Sequence, residues 1–311
     1  MPDQKYRLVT RSDFDGLVCA ILLNEMQLID EIKFVHPKDM QDGKITITER
    51  DITTNLPYVA GAHLVFDHHA SETVRNTGER PKNYIIYPGA PSAARVVYEC
   101  YGGDSRFPDS FGDMMIAVDK ADAAEFSHDE ILDPTDWVLL NYLMDSRTGL
   151  GRFREFRVSN SQLMMDLIQY VRDHTIDEVL ALPDMVERVE LYFEHAAKAK
   201  EQILRCTTVH GNLAVLDLRQ EETIFAVNRF MIYALFPDTN ISIHAMWGVQ
   251  KQNTVFATGK SITNRSSQTN IGALMLEYQG GGHENAGTCQ VPNDQADKVL
   301  QKLITRINAD G

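Results

Sequence analysis

The chain reads His63-Leu64-Val65-Phe66-Asp67-His68-His69, an apolar run that stops abruptly at three polar residues. Residues 63–66 have the length and composition of a strand buried on both faces. Similar runs occur earlier in the chain, and they predict strands at Tyr6–Thr10, 32–36 and 45–48. Amphipathic stretches separate the runs. This alternation predicts an α/β fold whose N-terminal domain has three layers around a parallel sheet.

Potential metal ligands follow three of the predicted strands. Asp13 and Asp15 come after the first strand, Asp51 after the third, and the triplet 67–69 after the fourth. The carboxyl ends of parallel strands form the ligand-binding edge of such a sheet. One aspartate alone could simply cap a helix. Recurrence at three strand ends favours a site for Mg²⁺ or Mn²⁺, which prefer carboxylate oxygens.

A fourth acidic cluster lies in a stretch with helical periodicity at 114–124. Its sequence is Val118-Asp119-Lys120-Ala121-Asp122. Asp119 or Asp122 could add a fourth carboxylate cluster on or beside a helix, and helical spacing alone does not separate the two positions.

The length and periodicity of the chain predict two domains. An amphipathic stretch at 184–206 has the spacing of one long helix, and a new pattern of strands and helices follows it. We therefore predict a first domain at 1–190, a connecting helix at 191–206 and a smaller C-terminal α/β domain at 207–311.

The amino-acid composition of the chain limits the kinds of molecule that it can bind. The net charge is −14, which disfavours long duplex nucleic acid because its binding depends on Lys and Arg. A small anionic substrate stays compatible with local cations. No apolar segment is long enough to span a membrane, and the four cysteines are widely scattered, so a cytoplasmic location is expected. The sequence leaves a homodimer open.

The motifs resemble those of the DHH phosphoesterase superfamily, which is named for the Asp-His-His triplet seen here at 67–69. Asp13-Phe14-Asp15-Gly16 is similar to the family's first motif, and Gly280-Gly281-Gly282-His283 resembles the signature of its C-terminal domain. The resemblance implies a metal-dependent phosphoesterase with a metal-activated hydroxide as nucleophile. It also implies a small substrate held between two domains: a short single-stranded oligonucleotide, a nucleotide or polyphosphate.

The resemblance further implies two Mn²⁺ or Mg²⁺ ions, with Asp51 bridging them. Four residues would hold one ion: Asp15, Asp51, His68 and Asp119. Asp119 is preferred because the apolar run before it and Val118 match the family's fourth motif best, and Asp122 is the reserve candidate. Asp13 and Asp51 would hold the other ion. His69 would face the phosphate, and Asp67 would orient a ligand histidine. In the second domain, the substrate contacts would be Arg265, Gly280, Gly281, Gly282 and His283.

Two basic features complete the prediction. The segment 147–157 carries Arg147, Arg152, Arg154 and Arg157, which indicates either a phosphate-binding loop or a solvated surface. Arg11 stands where much of the family has a metal-binding histidine, and a guanidinium cannot bind a cation. Arg11 therefore weakens the second metal site, unless His36 replaces the missing ligand. Alternatively, Arg11 itself contacts the substrate phosphate. A non-catalytic regulatory homologue is the alternative function.

Overall fold

The computed structural model describes residues 4–69, 81–153 and 155–311 and divides them into two compact units. The first unit includes 4–125, 135–146 and 150–190 within the described ranges, and the second includes 126–134, 147–149 and 191–311. The long helix Pro183–Cys206 contributes to both units, since the division falls after Glu190. The predicted boundaries at 190 and 206 stay predictions.

The first unit is built on a five-stranded sheet in which every pairing is parallel, with the order β2-β1-β3-β4-β5. Its strands are β1 (Tyr6–Thr10), β2 (Ile29–Phe34), β3 (Asp51–Thr54), β4 (Leu64–Asp67) and β5 (Tyr84–Ile86). β3 and β4 are buried along nearly their whole length. The predicted α/β fold class with a parallel sheet is confirmed.

Helices follow the strands of the first unit. They are α1 (Phe14–Glu25), α2 (Pro37–Gln41), α3 (Ala93–Cys100), α4 (Gly112–Asp122), α5 (His128–Leu132), α6 (Asp136–Met144), α7 (Asn160–Tyr170), α8 (Ile176–Leu180) and α9 (Pro183–Cys206), of which α5 belongs to the second unit. Ten of the twelve residues of α1 are buried, so α1 is a core helix. The buried remainder of α1 therefore fixes the position of its polar N-terminal residues.

The third strand begins later than the sequence predicts. The expected strand at 45–48 is wrong, because β3 starts at Asp51 and its first residue pairs with Arg7 at the beginning of β1. Asp51 accepts hydrogen bonds from the Thr48 amide at 2.7 Å and from Arg7 Nε at 2.6 Å. Asp51 therefore lies at the amino edge of the sheet, and Asn55 follows the carboxyl end of β3.

The second unit is built on a mixed six-stranded sheet with the order β10-β11-β9-β8-β7-β6, in which only β7 and β8 pair in parallel. Its strands are β6 (Thr207–His210), β7 (Leu213–Asp217), β8 (Ile241–Trp247), β9 (Thr254–Lys260), β10 (Gly281–His283) and β11 (Ala286–Val291). The helices α10 (Met231–Leu235), α11 (Ile271–Leu276) and α12 (Ala296–Asp310) accompany it. None of the helices in the described ranges is both long and apolar enough to cross a membrane.

Candidate metal centre

The turn after β1 brings two aspartates to the carboxyl edge of the first sheet. Asp13 caps α1, and its Oδ1 accepts a hydrogen bond from the Gly16 amide at 3.0 Å. A β-carbon on Gly16 would overlap the Arg11 carbonyl, so this close turn requires glycine. The turn places Asp15 inside the first turn of α1, where it is only 2% exposed.

Asp15 is a buried carboxylate held by a second helix. The Ala93 and Ala94 amides, at the start of α3, donate to its two oxygens at 3.1 and 2.7 Å. Burial and the nearby charge of Asp122 raise the pKa of Asp15 to about 8. An ionised Asp15 therefore needs a cation beside it.

His68 follows β4 and presents one ring nitrogen to the same place. Its Nδ1 donates to the Ala90 carbonyl at 3.2 Å, which turns Nε2 towards Asp122. Nε2 is buried and forms an ion pair with Asp122 Oδ2 at 2.9 Å. Burial lowers the pKa of His68, but Asp122 and Asp15 raise it overall to about 9. A metal ion at Nε2 would displace that proton.

Asp122, the reserve candidate, completes a cluster with Asp15 and His68. One donor atom from each residue lies within 4.8 Å of the other two. Two carboxylates and an imidazole that can exchange its Nε2 proton for a metal ion fit a divalent cation. Asp15 is buried and Asp122 reaches the surface, so the cluster is open to solvent on one side.

Asp119, the preferred candidate, is not brought to this cluster. It lies one helical turn before Asp122 on α4, and its Oδ2 accepts from Arg95 Nη2 at 2.5 Å. Ser92 Oγ donates to its other oxygen at 2.7 Å. Asp119 joins α4 to the start of α3 instead, and of the two candidates only Asp122 lies beside Asp15 and His68 among the described residues.

Asp51, the expected bridging ligand, lies at the opposite edge of the sheet, where Arg7 neutralises it. The residue at the carboxyl end of β3 is Asn55, which is buried and donates from Nδ2 to Asp13 Oδ1 at 3.3 Å. Its own Oδ1 is buried and has no hydrogen-bond partner among the residues that the structure describes. Sequence reasoning missed Asn55, because the misplaced third strand directed attention to Asp51.

The Asp-His-His triplet divides its roles differently from the expectation. Asp67 Oδ1 accepts from His69 Nδ1 at 2.7 Å and from the His68 amide at 2.8 Å. Tyr84 Oη donates to the other Asp67 oxygen at 3.2 Å. Asp67 therefore orients His69 rather than the ligand candidate His68, whose orientation comes from Ala90. His69 is partly exposed beside the cluster.

The Gly-Gly-Gly-His motif forms the outer strand of the second sheet. β-carbons on Gly280 or Gly282 would overlap the backbone of β11, whereas Gly281 faces open space. Gly281, Gly282 and His283 are exposed on β10. Two of the three glycines are thus required by the hairpin itself, and the third leaves the strand accessible.

The remaining basic candidates lie on exposed segments. Arg265 is exposed and donates to the Ile262 carbonyl at 3.2 Å. Arg147 is exposed and belongs to the second unit, whereas the exposed Arg152 belongs to the first. Arg157 is paired with Asp184 at 2.7 Å, and Arg154 lies outside the described residues. The predicted role of this segment in phosphate binding stays a prediction.

Two solved structures share the fold at low sequence identity. RecJ from Thermus thermophilus in complex with Mn²⁺ is 13% identical with a TM-score of 0.53, over 99% of this chain and 52% of that chain. CDC45 from Entamoeba histolytica is 9% identical with a TM-score of 0.54, over 97% of this chain and 95% of that chain. No protein-family model and no curated protein sequence matches the chain.

The motifs, the fold and one much more similar structure agree on the family. The chain belongs to the DHH phosphoesterase superfamily and is a metal-dependent hydrolase of phosphoester bonds. The more similar structure is the pGpG-specific phosphodiesterase PggH from Vibrio cholerae. The two sequences are 64% identical over 99% of this chain and 100% of that chain, with a TM-score of 0.88.

Proposed function

We propose that the protein cleaves the phosphodiester bond of a short linear dinucleotide of the pGpG type. The observation that carries this proposal is the 64% identity to a pGpG-specific phosphodiesterase along essentially both chains. The net charge of −14 also favours a small substrate over a long nucleic acid. Polyphosphate, the other substrate considered from the sequence, has no comparable support.

The proposed metal ligands are Asp15, His68 and Asp122, and the proposed ion is Mn²⁺ or Mg²⁺. The donor set fits such an ion because the ionised Asp15 needs a cation, and because one donor atom of each residue lies within 4.8 Å of the other two. When bound, the ion would supply Lewis-acid activation of the phosphoester and of the attacking water.

His69 is the proposed proton-transfer residue. Its Nδ1 proton is held by Asp67, so Nε2 is the atom that exchanges a proton or donates a hydrogen bond to a phosphate oxygen. Asp67 is fully buried and fixes the orientation of the His69 ring through this hydrogen bond. Within the second unit, the proposed substrate contacts are the exposed residues Gly281, Gly282 and His283, together with the exposed Arg265.

Two further proposals concern location and assembly. The four cysteines are free, which supports a reducing compartment and hence the cytoplasm. A homodimer stays a prediction, and light scattering of the purified protein would test it.

The experiment is chromatographic analysis of reactions of Mn²⁺-loaded protein with four substrates. They are pGpG, a cyclic dinucleotide, a longer single-stranded RNA and tripolyphosphate. We expect conversion of pGpG to mononucleotides at a rate at least about tenfold above the others. Release of phosphate from tripolyphosphate with pGpG left intact would contradict the proposal.

A further inference from the structure

Both oxygens of Asp13 are engaged by groups other than a metal ion. Arg11, directly after β1, places Nε 3.1 Å from Asp13 Oδ2. The opposite oxygen, Oδ1, accepts from the Gly16 amide at 3.0 Å and from Asn55 Nδ2 at 3.3 Å. These hydrogen bonds fix the Asp13 carboxylate next to the Arg11 guanidinium. The ion pair with Asp13 in turn fixes the position of the guanidinium.

A second divalent ion has few ligands at this edge of the sheet. Asp51 is at the opposite edge, and the neutral amide of Asn55 occupies the end of β3. His36, the proposed replacement ligand, caps α2 through Nδ1, which accepts from the Lys38 amide at 3.1 Å. An ion beside Asp13 would also meet the permanent charge of Arg11, and like charges at such distances repel.

We propose that Arg11 supplies the second positive charge of the site, so that the protein works with one bound ion and a guanidinium that binds the substrate phosphate. Asp13 and Asn55 act as positioning residues for Arg11. A guanidinium can bind two phosphate oxygens in parallel, which makes it suited to this task. The Arg11 side chain is 30% exposed, so a substrate can reach it. The inference rests on the proposed phosphodiesterase function.

The position of Arg11 relative to the metal ligands supports this assignment. Arg11 pairs with Asp13, and Asp13 caps the same helix α1 whose first turn carries Asp15. The guanidinium is therefore held at the start of the helix that supplies a proposed metal ligand. One phosphate group could contact both the ion and the guanidinium.

The first test counts ions in the wild-type protein. Native mass spectrometry and elemental analysis at saturating Mn²⁺ should find one ion per chain. Two ions per chain would overturn the inference. This count does not depend on turnover, so it remains decisive even if pGpG proves not to be the substrate.

The second test compares Arg11→His, Arg11→Lys and the control Arg50→Gln. Arg50 is an exposed arginine that pairs with Asp30 at 2.9 Å and precedes the amino edge of β3. We expect Arg11→His to lower kcat on pGpG about 100-fold, the effect of removing one transition-state donor, with the first ion retained. Arg11→Lys should keep more activity, and Arg50→Gln should match wild type. Equal or higher turnover in Arg11→His would instead show that Arg11 is only a lost ligand.

Discussion

Asp119 and Asp122 lie three residues apart on α4, yet their neighbours give them different chemistry. Asp122 is beside His68 Nε2 with no arginine bound to it in any described hydrogen bond or ion pair, whereas Asp119 is bound by Arg95 and Ser92. Two guanidinium N–H groups of Arg95 donate to one oxygen of Asp119, so this carboxylate is neutralised and has little reason to bind a cation. The metal role therefore belongs to Asp122 in our proposal.

The two positions form a matched pair for mutagenesis. Asp122→Asn should weaken Mn²⁺ binding at least tenfold and lower kcat by about 100-fold, because a metal ligand loses its charge. Asp119→Asn should leave metal affinity within about threefold and mainly reduce thermal stability. Calorimetric titration with Mn²⁺ and turnover on pGpG check both. Loss of metal in Asp119→Asn alone would restore the original sequence interpretation.

At the level of elements, the register of β3 decides what Asp51 does. Asp51 begins the strand and binds Arg7 and Thr48 at the amino edge, so its role is structural. Asp51→Ala should cost about 3 kcal/mol in the free energy of unfolding, because it leaves Arg7 without its partner. Mn²⁺ affinity should be unchanged. Chemical denaturation and metal titration of the variant measure the two quantities.

The same carboxylate predicts a pH dependence. Desolvation raises the pKa of Asp51, but hydrogen bonds from Arg7 and Thr48 lower it overall from the usual 3.8. Stabilisation from a group whose pKa is lowered on folding is present above 3.8 and is lost as the pH falls through the folded value. The difference in unfolding free energy between wild type and Asp51→Asn should thus be constant above about pH 5 and shrink below pH 3.8. A difference that grows on acidification would contradict this assignment.

The turn between β1 and α1 offers a second test at the level of elements. Gly16→Ala should destabilise the protein by about 1–3 kcal/mol and weaken Mn²⁺ binding, because the new methyl group displaces the Arg11 carbonyl and the turn that holds Asp15. Gly112→Ala is the control, since a β-carbon there meets no atom within 4 Å. Its stability should equal or exceed that of wild type. Equal behaviour of the two variants would refute the steric argument.

Much of the fold and part of the site could be predicted from the sequence. The strand at Tyr6–Thr10 and the strand end at Asp67-His68-His69 are strong local signals, so the parallel sheet and its functional edge were predictable. The partner of Asp119 was not, because Arg95 comes from a different helix and approaches only in the fold. The start of β3 could not be predicted either, because residues 45–48 and 51–54 are both short runs with strand propensity.

At the level of the whole molecule, the second unit includes segments from the first half of the chain. Asn228 Nδ2 donates to the Ile131 carbonyl at 2.9 Å, and the Val227 amide donates to the Thr148 carbonyl at 3.1 Å. Deletion of residues 207–311 removes these partners while leaving 126–134 and 147–149 in place. We expect the truncated chain to aggregate or melt at least about 10 °C below wild type in differential scanning calorimetry.

A single substitution isolates the same contact in the full-length protein. Asn228 is buried, and Asn228→Ala leaves the Ile131 carbonyl without its donor, which should cost about 1–3 kcal/mol. Metal affinity should not change. The expectation would be contradicted by a 1–206 fragment that is stable and soluble, together with an Asn228→Ala variant that has the unfolding free energy of wild type. Residues 126–134 and 147–149 would then not need their partners in 207–311.

The central claim is that a divalent ion binds among Asp15, His68 and Asp122 in a phosphodiesterase of the DHH superfamily. Anomalous diffraction from crystals of the Mn²⁺-loaded protein at the manganese edge tests it most directly. We predict a peak about 2.0–2.3 Å from a carboxylate oxygen of Asp15, from His68 Nε2 and from Asp122. A peak beside Asp51 or Asp119, with none between these three residues, would contradict the account.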